Sequence, residues 1–113
     1  MSNDVKQWFE DFQASMAKTT KVASDAVRGF GGLFQKVMGE GSISVREKEL
    51  IALGIGVALR CEPCIRLHVK KCLEVGATKE QIIEAAQVAV MMGGGPCYTY
   101  LPMVVETLEA LES

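Results

Sequence analysis

"LIALGIGVALRCEPCIRLHVKKCLEVGATKEQIIEAAQVAV" (residues 50–90) is the stretch whose reading decides the fold. Its apolar residues recur every three to four positions and not every second one, which is the period of an amphipathic helix. The boundaries are marked as well. Ser44 and Glu47 form an S-x-x-E capping box just ahead of the first apolar run. Pro63 suits the first turn of a second helix, where its missing N–H costs nothing. Gly76 fits the C-terminal cap of that helix. Thr78 and Gln81 then open a third, with Ile82, Ile83, Ala86 and Val90 on one face. Gly54 and Gly56 each cost about 1 kcal/mol against alanine inside a helix. Close backbone approach to a neighbouring helix is the expected compensation.

The periodicity continues on both sides. Upstream, Val5, Phe9 (with Trp8), Phe12 and Met16, then Val22, Ala26 and Val27, predict one long or two consecutive amphipathic helices ending near Gly29. "GGLFQKVMGEGS" reads as a short helical piece between glycine breakers, and a neighbouring subunit is the expected cover for the Trp8/Phe9/Phe12 face. Downstream, "GGGP" (residues 93–96) breaks the third helix. A last helix follows, either kinked at Pro102 or starting there. The class is all-α, divided into an N-terminal helical arm (residues 1–40) and a core (residues 41–113).

Forty-nine percent of the 113 residues are hydrophobic, rich for a small monomer, so apolar surface shared with other copies of the chain is expected. The net charge is −2 with acids and bases interspersed, which excludes the basic footprint of a nucleic-acid binder. No apolar run approaches the ~20 residues a membrane span requires. The start "MSNDVKQWFEDF" lacks the basic-then-apolar pattern of a secretory signal. A cytoplasmic location is expected, where paired cysteines serve redox or metal chemistry more often than structural disulfides.

Three cysteines and the only histidine fall within "RCEPCIRLHVKKC" (residues 60–72). Cys61, Cys64 and His68 are spaced to share one helical stripe. A C-x-x-C pair at a helix start lies near disulfide separation, and the free N–H groups there favour thiolate. His68 can exchange a proton with one of the sulfurs. Three readings stand at this point: a redox dithiol, a structural zinc site drawing on Cys61, Cys64, His68 and Cys72 or Cys97, and plain packing. A closed zinc site usually takes its ligand pairs from two segments, so redox is favoured over zinc. Cys72 and Cys97 read as small apolar packing residues.

"EKELIALGIGVALRCEPCIRLHVKKCLEVGATKEQIIEAAQVAVMMGGGP" resembles the core of the alkylhydroperoxidase D-like branch of the carboxymuconolactone decarboxylase superfamily. The residues that carry the likeness are the glutamate of "ELIAL", the C-x-x-C-x-x-x-H run and "GATKEQIIE", within residues 45–96. The resemblance implies an all-α fold with the motif on an antiparallel helix pair, and assembly as a homotrimer or homohexamer. It also singles out Glu49, twelve residues before Cys61, which spacing alone does not separate from Glu47 or Glu62. By the same resemblance Cys64 attacks a hydroperoxide and passes through a sulfenic acid. Cys61 gives up a proton and then closes the disulfide, and His68 with Glu49 relays protons.

The implied function is reduction of alkyl hydroperoxides, or disulfide exchange, with no metal or organic cofactor. An external dithiol reductant, thioredoxin-like or a lipoyl protein, would restore the pair. Two features depart from the family. Pro63 stands where some members place a polar residue, and the chain is shorter than the two-repeat alkylhydroperoxidase D. The alternatives are a carboxymuconolactone-type decarboxylase, which needs no dithiol, and a non-catalytic oligomeric module that senses redox state or binds zinc.

Overall fold

The computed structural model describes residues 2–112 of the chain. Among the described residues seven helices follow one another: α1 (Ser2–Val22), α2 (Ser24–Met38), α3 (Val45–Ala58), α4 (Glu62–Glu74), α5 (Lys79–Gly93), α6 (Gly95–Tyr98) and α7 (Leu101–Glu112). Among the described residues there is no strand, and no helix is long and apolar enough to cross a membrane.

The central helices begin where their capping residues stand. The Ser44 hydroxyl accepts the Glu47 N–H at 3.1 Å, and the Glu47 carboxylate accepts the Ser44 N–H at 3.1 Å. The Ser44 N–H, followed by the Ser44 side chain, holds the Glu47 carboxyl below its ordinary range. Thr78 and Gln81 repeat the arrangement at the start of α5. Gly76, with φ of +89°, lies just past α4 in the left-handed conformation that glycine adopts without a Cβ clash. Pro102 sits in the first turn of α7, so that helix starts there and is not kinked.

The core is built from the inner faces of α3, α4, α5 and α7. Leu53, Val57, Ile65, Val69, Ile82, Val104 and Leu108 are almost fully buried in it. A second, smaller cluster joins Val5 and Phe9 of α1 to Ala110 of α7. Phe9 of the α1 aromatic face thus packs against the chain's own last helix, with Trp8 against the same cluster. Buried Arg66 ties the clusters together: its guanidinium donates to Glu62 and to the Thr107 hydroxyl, both at 3.0 Å, and lies 5.7 Å from the Trp8 ring.

Two expectations change. α1 and α2 are separate helices that meet at Ala23, and α2 runs straight through Gly29, Gly31 and Gly32. Those glycines border open space, and the apolar repeat of Val27, Phe30, Phe34 and Val37 keeps its period across them. Of the two α3 glycines, Gly56 makes the close approach: a Cβ there would lie 3.0 Å from the Cys64 Cβ. At Gly54 the corresponding contact is an ordinary 3.7 Å to the Ala85 carbonyl.

Candidate active site: a dithiol at a helix start

The turn between α3 and α4 sets the dithiol in place. Arg60 adopts a left-handed backbone (φ 55°), and the N–H groups of Arg60 and Cys61 donate back to the carbonyls of Val57 and Gly56, both at 3.0 Å. This is the paired hydrogen bonding that closes a helix with a left-handed residue. It reverses the chain within three residues and delivers Cys61 to the N-cap of α4.

There the Cys61 sulfur accepts the Cys64 N–H at 3.3 Å. An N-cap sulfur receiving a helix N–H sits at the positive end of the helix dipole, and both effects stabilise the thiolate that Cys61 becomes once it has given up its proton. In this structure Cys61 and Cys64 are joined as a disulfide, with Cα atoms 5.2 Å apart. Gly56 permits the geometry, because the α3 backbone must pass directly under Cys64.

His68 stands one turn beyond Cys64 and is partly buried. Its Nδ1 lies 2.7 Å from the Glu49 Oε1, and Glu49 is only 3% exposed. A carboxylate at this distance fixes the ring's orientation and places its Nδ1 proton, leaving Nε2 to face other partners. The structure thus brings Glu49 of α3 and His68 of α4 together, one turn along α4 from Cys64. Glu47 stays at the exposed cap, and Glu62 pairs with Arg66.

The other two cysteines are separate from this arrangement. Cys72 is fully buried in the core, and burial, followed by the nearby charge of Glu49, pushes its thiol up to about 12. Cys97 is also buried, with its sulfur 3.7 Å from the Ala58 carbonyl at the end of α3. Both pack as small apolar residues. Among the described residues no three His, Cys, Asp or Glu side chains are grouped to hold a metal ion.

Phe34 escaped the sequence reading. Its ring, carried on α2, lies over the His68 imidazole with centroids 6.3 Å apart and planes inclined by 22°. Lys71 sits above the same phenyl ring at 5.9 Å. Lys48, the neighbour of Glu49, secures the end of α2 by donating to the carbonyls of Val37 at 2.8 Å and Gly39 at 2.7 Å. The available signal was the helical repeat from Val27 to Val37, interrupted in appearance by glycine.

Residues 24–101 match the carboxymuconolactone decarboxylase family, and the chain belongs to that family. The match starts at the first residue of α2 and extends past the motif-bearing stretch on both sides. A carboxymuconolactone decarboxylase family protein from Legionella pneumophila has the same fold, with a TM-score of 0.86 at 34% identity over 97% of this chain and 96% of its own. A family member from Thermotoga maritima, for which a part in an antioxidative response has been suggested, gives a TM-score of 0.72 at 36% identity, covering 77% of this chain and 90% of its own. Alkyl hydroperoxide reductase AhpD of Corynebacterium kroppenstedtii is 30% identical over 73 residues, which is 65% of this chain and 42% of that enzyme. The shared stretch is less than half of the reductase.

Proposed function

We propose that this chain is a dithiol oxidoreductase that reduces hydroperoxides, with Cys61 and Cys64 alternating between dithiol and disulfide. The observation that carries the reading is the cysteine pair in the first turn of α4 next to the buried 2.7 Å Glu49–His68 hydrogen bond. The likeness to alkyl hydroperoxide reductase over the same residues supports it.

In the reduced protein the Cys64 proton passes to His68, whose positive ring is held by the Glu49 carboxylate. The Cys64 thiolate attacks the terminal oxygen of the hydroperoxide and the O–O bond breaks. The Cys61 thiol protonates the departing alkoxide, which leaves as an alcohol. Cys64 is now a sulfenic acid. The Cys61 thiolate, stabilised by the Cys64 N–H, attacks the Cys64 sulfur and expels hydroxide. That hydroxide takes the proton held on His68 and leaves as water. An external dithiol, of the thioredoxin or lipoyl type, then reduces the disulfide and is itself oxidised. No metal or organic cofactor enters any step. Pro63 has no proton to pass, so no relay runs through that position.

Steady-state turnover of an organic hydroperoxide with a dithiol reductant tests the roles. Cys64→Ser is expected to abolish turnover, and Cys61→Ser to stall as a sulfenic acid or a mixed disulfide visible by mass. Turnover retained in Cys64→Ser would remove the attacking role from that residue. Activity on a lactone acid that survives loss of both cysteines would favour decarboxylation instead.

A further inference from the structure

A cavity of about 590 Å³ is lined by residues of α1 and α2 and by Lys71 of α4. Its volume lies within the ~300–1,000 Å³ usual for small-ligand sites. Most of its wall is apolar, formed by Met16, Ala26, Val27, Phe30 and Phe34. Helix α2 nevertheless buries no residue, and Phe30 and Met16 are 68% and 37% exposed, so this apolar wall faces solvent. An apolar wall held open in this way favours an apolar occupant.

Charge and position narrow the choice of occupant. Lys71 is the one charged residue of the lining, and it makes no ion pair among the described residues. Its ammonium lies 5.9 Å from the Phe34 ring. The Thr19 hydroxyl, also in the lining, is engaged within α1, where it donates to the Ser15 carbonyl at 2.8 Å. One uncompensated ammonium among apolar walls is complementary to a single negative charge on an apolar chain, that of a carboxylate. The cavity also adjoins the dithiol site. Phe34 lines it and stacks over the His68 imidazole at 6.3 Å, and Lys71 follows His68 by three positions on one face of α4.

We infer that this cavity holds the chain of an aliphatic monocarboxylic acid, paired through its carboxylate with Lys71, and that the substrates are hydroperoxides of such acids. Phe34 connects the cavity to His68, so a hydroperoxide carried on the bound chain is presented to Cys64. It leaves as the corresponding hydroxy acid by the steps given above. The substrate half of this inference rests on the redox reading, and the binding half does not.

Calorimetric titration of the full chain with dodecanoate, an acid that carries no hydroperoxide, tests the binding half. Saturable binding is expected, with affinity rising from octanoate to dodecanoate by up to about fourfold per methylene. Lys71→Met should weaken dodecanoate by about fivefold and leave dodecanol, its uncharged analogue, unchanged. Gly31 lines the cavity, and a Cβ there meets nothing within 4 Å. Gly31→Leu should therefore fill the space and abolish binding of both compounds while the fold persists, which circular dichroism checks. The substrate half is read from turnover. In Gly31→Leu, kcat/KM for a twelve-carbon hydroperoxy acid should fall by about tenfold or more, with that for tert-butyl hydroperoxide unchanged. Four results overturn the inference: dodecanoate that does not bind, as when another copy of the chain fills the cavity; a Gly31→Leu protein that binds it normally; a Lys71→Met protein that loses dodecanol equally; or an equal fall for both hydroperoxides. A protein that binds dodecanoate and reduces no hydroperoxide would instead remove the redox reading, and the substrate half with it. Reduction of tert-butyl hydroperoxide without dodecanoate binding would remove this inference alone.

Discussion

The α3–α4 hairpin and helix α2 face each other across His68, and they are built on opposite terms. The hairpin is specified several times over. A capping box starts α3, a left-handed Arg60 ends it, Cys61 caps α4, and Leu53, Val57, Ile65 and Val69 bury its inner faces. Helix α2 has three interior glycines and no buried residue, and it is secured at its end by Lys48. Rigid geometry is thus concentrated around the two sulfurs, the imidazole and the carboxylate of the proposed site. The aromatic cover rests on a weakly held helix. A helix with so few internal contacts belongs to the low end of local stability, where motion is cheap.

Glycine substitutions are the sharpest way to break that contrast, because the two regions predict opposite signs. Gly56→Ala should destabilise by about 1–3 kcal/mol, since the added methyl would lie 3.0 Å from the Cys64 Cβ and α4, anchored in the core through Ile65 and Val69, would have to shift to admit it. Thermal melts should register a loss of roughly 4–8 °C per kcal/mol. A melt unchanged from the parent would mean that the hairpin is looser than described.

Alkaline pH probes the core side of the comparison. The Cys72 thiol is raised to about 12 in the folded chain, mainly by burial. On raising the pH, the unfolded state loses this proton first, so its contribution to stability is complete below about 9 and is lost between about 9 and 12. Denaturant unfolding of Cys72→Ala should therefore fall less steeply with pH over that window than the parent does. Parallel curves would deny the buried thiol this role.

The smallest effect belongs to α2. A Cβ at Gly31 meets nothing within 4 Å, so Gly31→Ala should stabilise, by at most about 1 kcal/mol, through helix propensity alone. A destabilised Gly31→Ala would show that α2 is packed more closely than its surroundings indicate.

The same contrast explains what could be read from the sequence. Ser44, Glu47, Thr78, Gln81, Pro63 and Gly76 act on their own helix ends, and local rules recover such signals. The helical class followed from the apolar period between those ends, and Cys72 and Cys97, read as packing residues, are buried. Glu49 is different: its meeting with His68 is a contact across 19 positions, which no helical period encodes. Only the family likeness selected it. Phe34 was missed because glycine propensity, a weak prior, suggested breaks at Gly29, Gly31 and Gly32, whereas the apolar stripe and the Lys48 hydrogen bonds carry α2 through. Gly54 and Gly56 look alike in sequence, and only the approach of α4 tells them apart.

In the proposed mechanism Cys61 and Cys64 form a peroxide-driven switch. Reduced protein should be mixed with one equivalent of an organic hydroperoxide, quenched in denaturant with an alkylating agent, and mapped by peptide mass. A rapid Cys61–Cys64 disulfide is expected, with Cys72 and Cys97 recovered as alkylated thiols. Four alkylated cysteines after exposure, or a disulfide that engages Cys72 or Cys97, would contradict it.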